Sequence, residues 1–315
     1  MLALVEANRP AAKSDPRRRV IAVVNPAGGT ASALAGRLKA DLEKAFAEAG
    51  IAADVVIPSG SIEAAIKDAV ARIASGEADV LAVGGGDGTL RTAAATLAGT
   101  KFPLAILPLG TRNHFARDLG VPLDLAQAIR LIVDGEAQPV DVGEVNGEVF
   151  INNSSIGIYP FLVADRERRQ ANGMRKPAAM LLALLRGLVR FPRRRLRINA
   201  GAEVVERRTP CLFVGNNAYD MNFLSLGRKQ VDSGRLFVYV ARARSALAFI
   251  WFALRAGLGA AQRRRDFDLM EVESFRIRAR TSRLPVALDG EALMLSTPLE
   301  YRSRPGALTV LVPRR

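Results

Sequence analysis

Short apolar runs alternate with amphipathic segments along the first 110 residues. The run Val20–Val24 predicts a buried strand, and apolar residues at every fourth position after it predict a helix that ends at Gly50. This order of strand and helix repeats, which predicts a parallel sheet covered by helices on both faces. The remaining strands are predicted at Ala53–Ile57, Val80–Val83 and Pro103–Leu107, and the remaining helices at Ile62–Ala74 and Thr89–Leu97.

The pattern changes near residue 140. Two strand-like runs flank Asn146-Gly147, a pair typical of a two-residue β-hairpin turn. Further runs predict a mainly antiparallel, β-sandwich-like region: Leu196–Asn199, Cys211–Gly215, Arg235–Val240, Ser274–Ala279, Pro285–Leu288 and Leu308–Val312. Two helical inserts are predicted within it, at Pro177–Phe191 and Ser245–Gln262.

These patterns predict an α/β lobe followed by a β-rich lobe. We place a flexible tail at 1–19, the α/β domain at 20–139, the β-rich domain at 140–305 and a last strand at 306–315 that returns to the first domain. The tail has no apolar segment typical of a secretory signal.

Charge is distributed unevenly between the two halves. Residues 1–140 contain equal numbers of basic and acidic residues, so the net charge of +14 belongs to residues 141–315. Such a field attracts anionic lipid surfaces, nucleic acids or acidic small molecules. The single cysteine, Cys211, excludes an intramolecular disulfide and fits a reducing compartment. No apolar run approaches the roughly 18 residues of a membrane-spanning helix.

The segment Gly84–Thr89 carries the clearest chemical signal. It reads Gly-Gly-Gly-Asp-Gly-Thr and directly follows a predicted buried strand. Glycines let backbone N–H groups approach phosphate oxygens, and Asp87 can hold Mg²⁺. The alternative is a tight turn in which Asp87 caps the next helix, although one cap does not need four glycines. Ligands of parallel sheets lie beyond the carboxyl ends of the strands, where turns at Asn25 and Leu109–Thr111 also gather.

Four motifs in this order resemble the bacterial diacylglycerol kinase-like lipid kinases, a family that includes the sphingosine and ceramide kinases. The motifs are Asn25–Gly29, Gly85–Thr89, Pro108–Arg117 and Leu288–Glu291. The resemblance implies a nucleotide lobe like that of the phosphofructokinases and NAD kinases, a second β-sandwich-like lobe, and transfer of the γ-phosphoryl group of ATP to a lipid hydroxyl.

The resemblance also implies roles for individual residues. Asp289 and Glu291 match carboxylates that serve as general base or assist Mg²⁺, and Asp87 is a third catalytic candidate and a metal ligand. From the local sequence alone, a hairpin turn with a solvated Asp289-Gly290-Glu291 tip is favoured, and the resemblance is what favours a catalytic role. The implied nucleotide-binding residues are Asn25, Pro26, Ala27, Gly28, Gly29, Thr30, Ser59, Gly85, Gly86, Asp87, Gly88, Thr89, Gly110, Thr111 and Asn113.

The chain departs from the family pattern at three places. Arg91-Thr92 stands where an Asn-Glu pair is common. Arg91 could reach a phosphate, but an exposed helix residue is favoured. His114, the only histidine, stands where many members have Asp, and a local hydrogen bond is favoured over a catalytic role. A structural Mg²⁺ in the second lobe would need an Asp-Gly turn, but Ser233-Gly234 stands there, with Asp232 as the remaining candidate ligand.

The basic second half suggests contact with a membrane. Both helical inserts carry apolar residues beside arginines, so they could lie on an anionic bilayer or cover the β-rich core. Core packing is favoured for Ser245–Gln262, which contains Trp251 and Phe252, and both alternatives stay open for Pro177–Phe191. We expect a cytoplasmic protein attached peripherally to the inner face of the membrane, with ATP and Mg²⁺ as cofactors.

The expected partners are a lipid alcohol and an anionic membrane, without nucleic acid, because arginines adjoin apolar helices rather than interleaved aromatic residues. A homodimer through an edge strand stays open. The alternatives are an NAD kinase-like enzyme with a soluble acceptor, and a catalytically inactive basic membrane-binding protein.

Overall fold

The computed structural model describes residues 18–26, 37–191, 193–201, 203–219, 231–258, 260 and 265–314. The N-terminal lobe is built from strands alternating with helices. Its elements are β1 (Arg19–Val24), α1 (Leu38–Glu48), β2 (Ala52–Val56), α2 (Ile62–Ala74), β3 (Val80–Gly84), α3 (Asp87–Leu97), β4 (Leu104–Leu107), α4 (His114–Asp118) and α5 (Leu125–Asp134).

The C-terminal lobe is mainly β-structure. Its elements are β5 (Glu136–Val145), β6 (Glu148–Phe150), β7 (Asn153–Gly157), α6 (Ile158–Ala171), α7 (Lys176–Arg190), β8 (Arg194–Ala200), β9 (Glu203–Thr209), β10 (Cys211–Asn216), β11 (Leu236–Ala241), α8 (Ala246–Gly257), β12 (Phe267–Val272), β13 (Ser274–Ala279), β14 (Arg283–Leu288), β15 (Glu291–Ser296) and β16 (Leu299–Val312).

The strands of the N-terminal lobe form a parallel sheet in the order β2-β1-β3-β4. Apolar side chains on the two sheet faces fill separate cores, one with Ile66 of α2 and the other with Leu42 of α1. The prediction of a parallel sheet covered on both faces is confirmed. This arrangement brings the carboxyl ends of β1, β3 and β4 to one edge.

Two sheets pack face to face in the C-terminal lobe. One is antiparallel, in the order β12-β11-β10-β7-β14-β15, and the other contains β13, β8 and β9. Their shared core includes Leu212, Val238, Ile277 and Tyr301, all of them buried. The predicted antiparallel β-sandwich-like lobe is confirmed, and so is the hairpin at Asn146-Gly147.

Strand β16 joins the two lobes. Its first part pairs with β13 in antiparallel register, and its last part lies beside β4 in parallel register at Val310 and Leu104. It therefore continues the N-terminal sheet into the C-terminal lobe, which fixes the lobes relative to each other. The strand is longer than the predicted Leu308–Val312 run; the domain boundaries at 139 and 305 stay predictions.

Helix α7 packs on α6 through small residues. Ala179 and Ala183 are fully buried, and a Cβ at Gly187 would lie 2.7 Å from Cδ2 of Leu162 on α6. Because this face consists of small residues, the large ones face outward, and Val189 is 87% exposed. The core-covering interpretation is therefore wrong for these large side chains.

Helix α8 differs from its prediction in the same way. Trp251 is 55% exposed, and Leu247, Leu254 and Leu258 are exposed as well. Core packing, the favoured interpretation of this segment, is wrong for these side chains. Phe249 contacts Phe191 just after α7, with ring centroids 6.0 Å apart, so α8 touches the C-terminal end of α7. Within the described residues, no helix is long and apolar enough to cross a bilayer.

Candidate active site

Three turns of the N-terminal lobe touch one another at the carboxyl edge of the sheet. The Asn25 N–H donates to the carbonyl of Gly84 at 2.8 Å, and Nδ2 of Asn25 donates to Oγ1 of Thr89 at 3.0 Å. A Cβ at Gly110 would lie 2.6 Å from Cα of Gly86, so the second and third turns are in backbone contact. The expected gathering of these turns is confirmed.

Glycine is required where these backbones cross. A Cβ at Gly85 would approach the side chain of Thr89 to 2.7 Å, and at Gly110 it would also meet Oδ1 of Asn113 at 2.6 Å. Contacts this short cannot form without movement of the neighbouring atoms. Gly85 and Gly110 are buried at this crossing, whereas Gly86 and Gly88 are partly exposed. Glycine backbone of this kind lets N–H groups reach phosphate oxygens.

Asp87 links the second and third turns. It is the first residue of α3, whose N-cap is Gly86 without a side-chain cap, so the interpretation of Asp87 as the cap of its own helix is wrong. Its carboxylate instead accepts the N–H groups of His114 at 3.4 Å and Phe115 at 3.2 Å, where α4 begins. These long bonds leave carboxylate lone pairs for a cation beside the backbone surface.

Asn113 stabilises the third turn from inside. It is buried in a left-handed conformation with φ of 49°, and its Nδ2 donates to the carbonyls of Pro108 and Gly110. Its Oδ1 is buried without a hydrogen-bond partner among the described residues. Thr111 and Ser59 are exposed, Ser59 just beyond the carboxyl end of β2. Pro26 follows β1, whereas Ala27, Gly28, Gly29 and Thr30 lie outside the described residues.

The Asp289-Gly290 turn comes from the C-terminal lobe. It joins β14 to β15, and both residues have positive φ, 48° and 94°, as a tight two-residue hairpin turn requires. The Asp289 carboxylate accepts the N–H groups of Ile151, Asn152 and Asn153 at 2.8 to 2.9 Å. The solvated-tip alternative is therefore wrong.

Burial raises the pKa of Asp289 to about 6, against the downward effect of these N–H donors and of Arg91. The carboxylate is consequently ionised at neutral pH, and its pKa lies close to the range that suits proton transfer there. Oδ1 accepts two of the N–H groups and Oδ2 accepts one, so Oδ2 can still receive a proton donor.

Glu291 brings the hairpin against the N-terminal lobe. Its Oε2 lies 2.5 Å from Nη2 of Arg91 on α3, and its Oε1 would lie 2.5 Å from a Cβ at Gly88. The side chain of Arg91 is only 13% exposed, so the expectation of an exposed helix residue is wrong. The hairpin thus lies over the first turn of α3, the turn that begins with Asp87.

The second predicted metal ligand, Asp232, lies far from Asp87 in the chain and has a different environment. Asp232 is exposed, and the neighbouring Gly234 N–H is accepted by the buried Asp141, which also accepts the Gly306 N–H. Among the described residues, no group of three or more His, Cys, Asp or Glu side chains is arranged to hold a metal ion. The role of His114 beyond its backbone bond to Asp87 stays a prediction.

A surface cavity of about 500 Å³ lies elsewhere, between β5, β8, β13 and β16, with Arg276, Glu300 and Arg302 in its lining. It includes none of the predicted site residues, so the site rests on the turns and the hairpin instead. The sequence patterns predict neither the N–H donors at residues 151–153 nor Tyr159, whose hydroxyl would lie 3.8 Å from a Cβ at Gly290. The donors lie more than 130 residues from Asp289, so no local pattern indicates them.

Comparison with known proteins agrees with this geometry. A family model described as the diacylglycerol kinase catalytic domain matches residues 19–145. A curated relative from Pseudomonas aeruginosa strain PAO1, named "Probable lipid kinase YegS-like", is 34% identical over 256 residues, which cover 76% of this chain and 78% of the relative. A relative of the same name from Pseudomonas putida is 30% identical and covers 76% of this chain and 79% of its own length.

Solved structures share the fold. One described as a diacylglycerol kinase from Bacillus anthracis str. Sterne has a TM-score of 0.64 at 22% identity, covering 95% of this chain and 98% of that chain. A second solved structure from the same strain covers the same shares of the two chains and has a TM-score of 0.71 at 24% identity. At these identities the likeness shows the fold alone.

Proposed function

Because this chain belongs to the family of diacylglycerol kinase-like lipid kinases, we propose that it transfers the γ-phosphoryl group of ATP to the hydroxyl of a diacylglycerol-like lipid at a membrane surface. One observation carries the proposal: the Asp289–Glu291 hairpin of one lobe lies over the first turn of α3 in the other. The same hairpin carries Asp289, and we infer that this carboxylate takes a proton beside a turn that holds phosphates.

The nucleotide-binding side is the cluster of turns around Gly86, Gly110 and Asn25. Their glycines let backbone N–H groups approach phosphate oxygens, and phosphoryl transfer depends mainly on positioning and on neutralising charge. We assign the triphosphate to this surface, with Asn113 holding the third turn in shape from below.

Asp87 is the residue that fits Mg²⁺. This ion is commonly held by one or two carboxylates together with the substrate phosphates, and Asp87 makes only long bonds to two N–H groups beside the proposed phosphate surface. When bound, Mg²⁺ neutralises negative charge on the phosphate oxygens. Asp232 is exposed, and we propose no ion there.

We propose Asp289 as the general base. Its Oδ2 takes the proton of the lipid hydroxyl while the hydroxyl oxygen bonds to the γ-phosphorus, and the bond from that phosphorus to the β,γ-bridging oxygen breaks as ADP leaves. The N–H groups of residues 151–153 hold the carboxylate in place, which spares the reaction the cost of orienting it.

The outward faces of α7 and α8 suit an anionic bilayer. Both present exposed apolar side chains, among them Leu181, Leu185 and Trp251, and a concentration of exposed apolar residues is typical of an interaction surface. Arg190 lies in the last turn of α7 and Arg193 follows three residues later, whereas Arg186 is held by the buried Asp165 at 2.8 Å. Cytoplasmic localisation and a homodimer stay predictions.

Phosphorylation of a lipid panel tests the proposal. Labelled ATP and Mg²⁺ are offered with diacylglycerol, a sphingoid base, ceramide and, as a soluble acceptor, NAD. We expect label in diacylglycerol or a related lipid alcohol and none in NAD. Label in NAD alone would support the NAD kinase-like alternative, and label in no acceptor would support an inactive membrane-binding protein.

Vesicle sedimentation tests the membrane surface separately. We expect binding to vesicles that contain phosphatidylglycerol, weaker binding as salt rises, and reduced binding of Leu181→Glu. Val133→Glu, on α5 of the other lobe, is the matched control because Val133 is a similarly exposed apolar residue. Equal binding at low and high salt, or equal loss in both variants, would contradict this part.

A further inference from the structure

Arg91 and Glu291 form an ion pair that the proposed mechanism does not use. Arg91 belongs to α3 in the N-terminal lobe and Glu291 to β15 in the C-terminal lobe, 200 residues further along the chain. Their charged atoms are 2.5 Å apart, and the side chain of Arg91 is almost fully covered. Since one partner comes from each lobe, the pair forms only when the lobes have this relative orientation.

The two oxygens of Glu291 have different neighbours. Oε2 accepts from Arg91, while Oε1 lies against the first turn of α3, where only a glycine at position 88 leaves room for it. This fixes the direction of the Glu291 side chain. A neutral residue at position 91 would remove the charged contact, between Arg91 and Oε2, and leave only the packing of Oε1 against Gly88.

The positive charge of Arg91 lies close to several carboxylates. Its charge also acts on Asp289 of the hairpin and on Glu63 of α2, so it lies among carboxylates of both lobes. Glu63 already has Lys67 as a partner at 2.7 Å. Without Arg91, the acidic hairpin would face the proposed triphosphate without the positive charge that Arg91 contributes, and like charges repel.

We propose that Arg91 is a positioning residue for phosphoryl transfer: from the nucleotide lobe it holds Glu291, and with it the Asp289–Glu291 hairpin, over the first turn of α3. This inference rests on the proposed function. Arg91 acts through Glu291 and the hairpin, so its loss affects the rate of transfer more than the binding of ATP.

Steady-state kinetics with separate kcat and KM values for ATP tests the inference. We expect Arg91→Met to lower kcat by about 10- to 100-fold, the effect of a slightly misplaced catalytic group, and to leave the KM for ATP nearly unchanged. Arg91→Lys keeps the charge and recovers most of the loss. Arg72→Met is the matched control, because Arg72 on α2 also joins elements through ion pairs, to Asp54 and Glu77, but within one lobe.

A double-mutant cycle separates a link through Glu291 from an independent effect. In the Glu291→Gln background, Arg91→Met should have no further effect, because the contact is already lost. A wild-type kcat in Arg91→Met, or a full additional loss in the double variant, would overturn the inference. A wild-type enzyme that phosphorylates no lipid would instead contradict the proposed function. If Arg91→Met does not fold, Arg91→Lys replaces it in the cycle. We then expect Arg91→Lys to lower kcat partially in the wild-type background and to have no effect on kcat in the Glu291→Gln background.

Discussion

The two sides of the site are built by different means. The nucleotide side consists of backbone turns packed so closely that Gly85 and Gly110 have no space for a side chain. The acidic side consists of carboxylates on a hairpin, held by N–H groups and an arginine from elsewhere in the chain. Shape defines the first side, and charge defines the second.

The two aspartates make this contrast concrete. Asp87 accepts N–H groups at 3.2 and 3.4 Å from a neighbouring turn of its own lobe, whereas Asp289 accepts them at 2.8 to 2.9 Å. Asp87 is therefore held loosely beside the proposed phosphate surface, and Asp289 is held firmly. A loosely held carboxylate suits an ion that arrives with the substrate, and a firmly held one suits a base.

The largest expected effect follows from replacing the base. Asp289→Asn should lower turnover by about 10²- to 10⁴-fold, since no other group then accepts the hydroxyl proton, while ATP binding stays nearly intact. The measurement is label transfer from ATP together with ATP affinity by calorimetry. Asp134→Asn, at an exposed position on α5, is the control. A near-normal rate in Asp289→Asn would remove Asp289 as the base.

A smaller effect is expected when a side chain is added on the nucleotide side. Gly110→Ala places a Cβ 2.6 Å from Cα of Gly86, and such overpacking costs about 1 to 3 kcal/mol. We expect a lower unfolding temperature and weaker ATP binding, measured by thermal unfolding and calorimetry. Gly60→Ala is the control, because nothing lies within 4 Å of a Cβ there. Equal behaviour of the two variants would show that the turns are not closely packed in solution.

The smallest effect concerns pH. Because burial raises the pKa of Asp289 to about 6, kcat/KM should fall about tenfold for each pH unit below 6, as the base becomes protonated. The pKa of Asp289 is higher in the folded protein than the ordinary value of 3.8, so the folded state binds this proton more tightly than the unfolded state does. The resulting stabilisation is fully present below about pH 4 and is lost as the pH rises through 6. If kcat/KM does not change down to about pH 4.5 while the enzyme stays folded, the assignment of Asp289 as the base is wrong.

The sequence predicted the nucleotide side better than the acidic side. Strand ends and glycine turns are local features, so the meeting of Gly86 and Gly110 follows from the order of strands. The partners of Asp289 lie more than 130 residues away, and those of Arg91 lie 200 residues away. No spacing in the sequence relates these residues to one another. Trp251 was misjudged because a helix rich in apolar residues looks the same whether it faces a core or a membrane.

A crystal structure with a non-hydrolysable ATP analogue and Mg²⁺ tests the central claim most directly. We expect the terminal phosphate to lie between the Gly86 and Gly110 turns on one side and the Asp289–Glu291 hairpin on the other, with Asp87 facing the ion. A terminal phosphate that points away from the hairpin, or a hairpin that leaves α3 when the nucleotide binds, would contradict it.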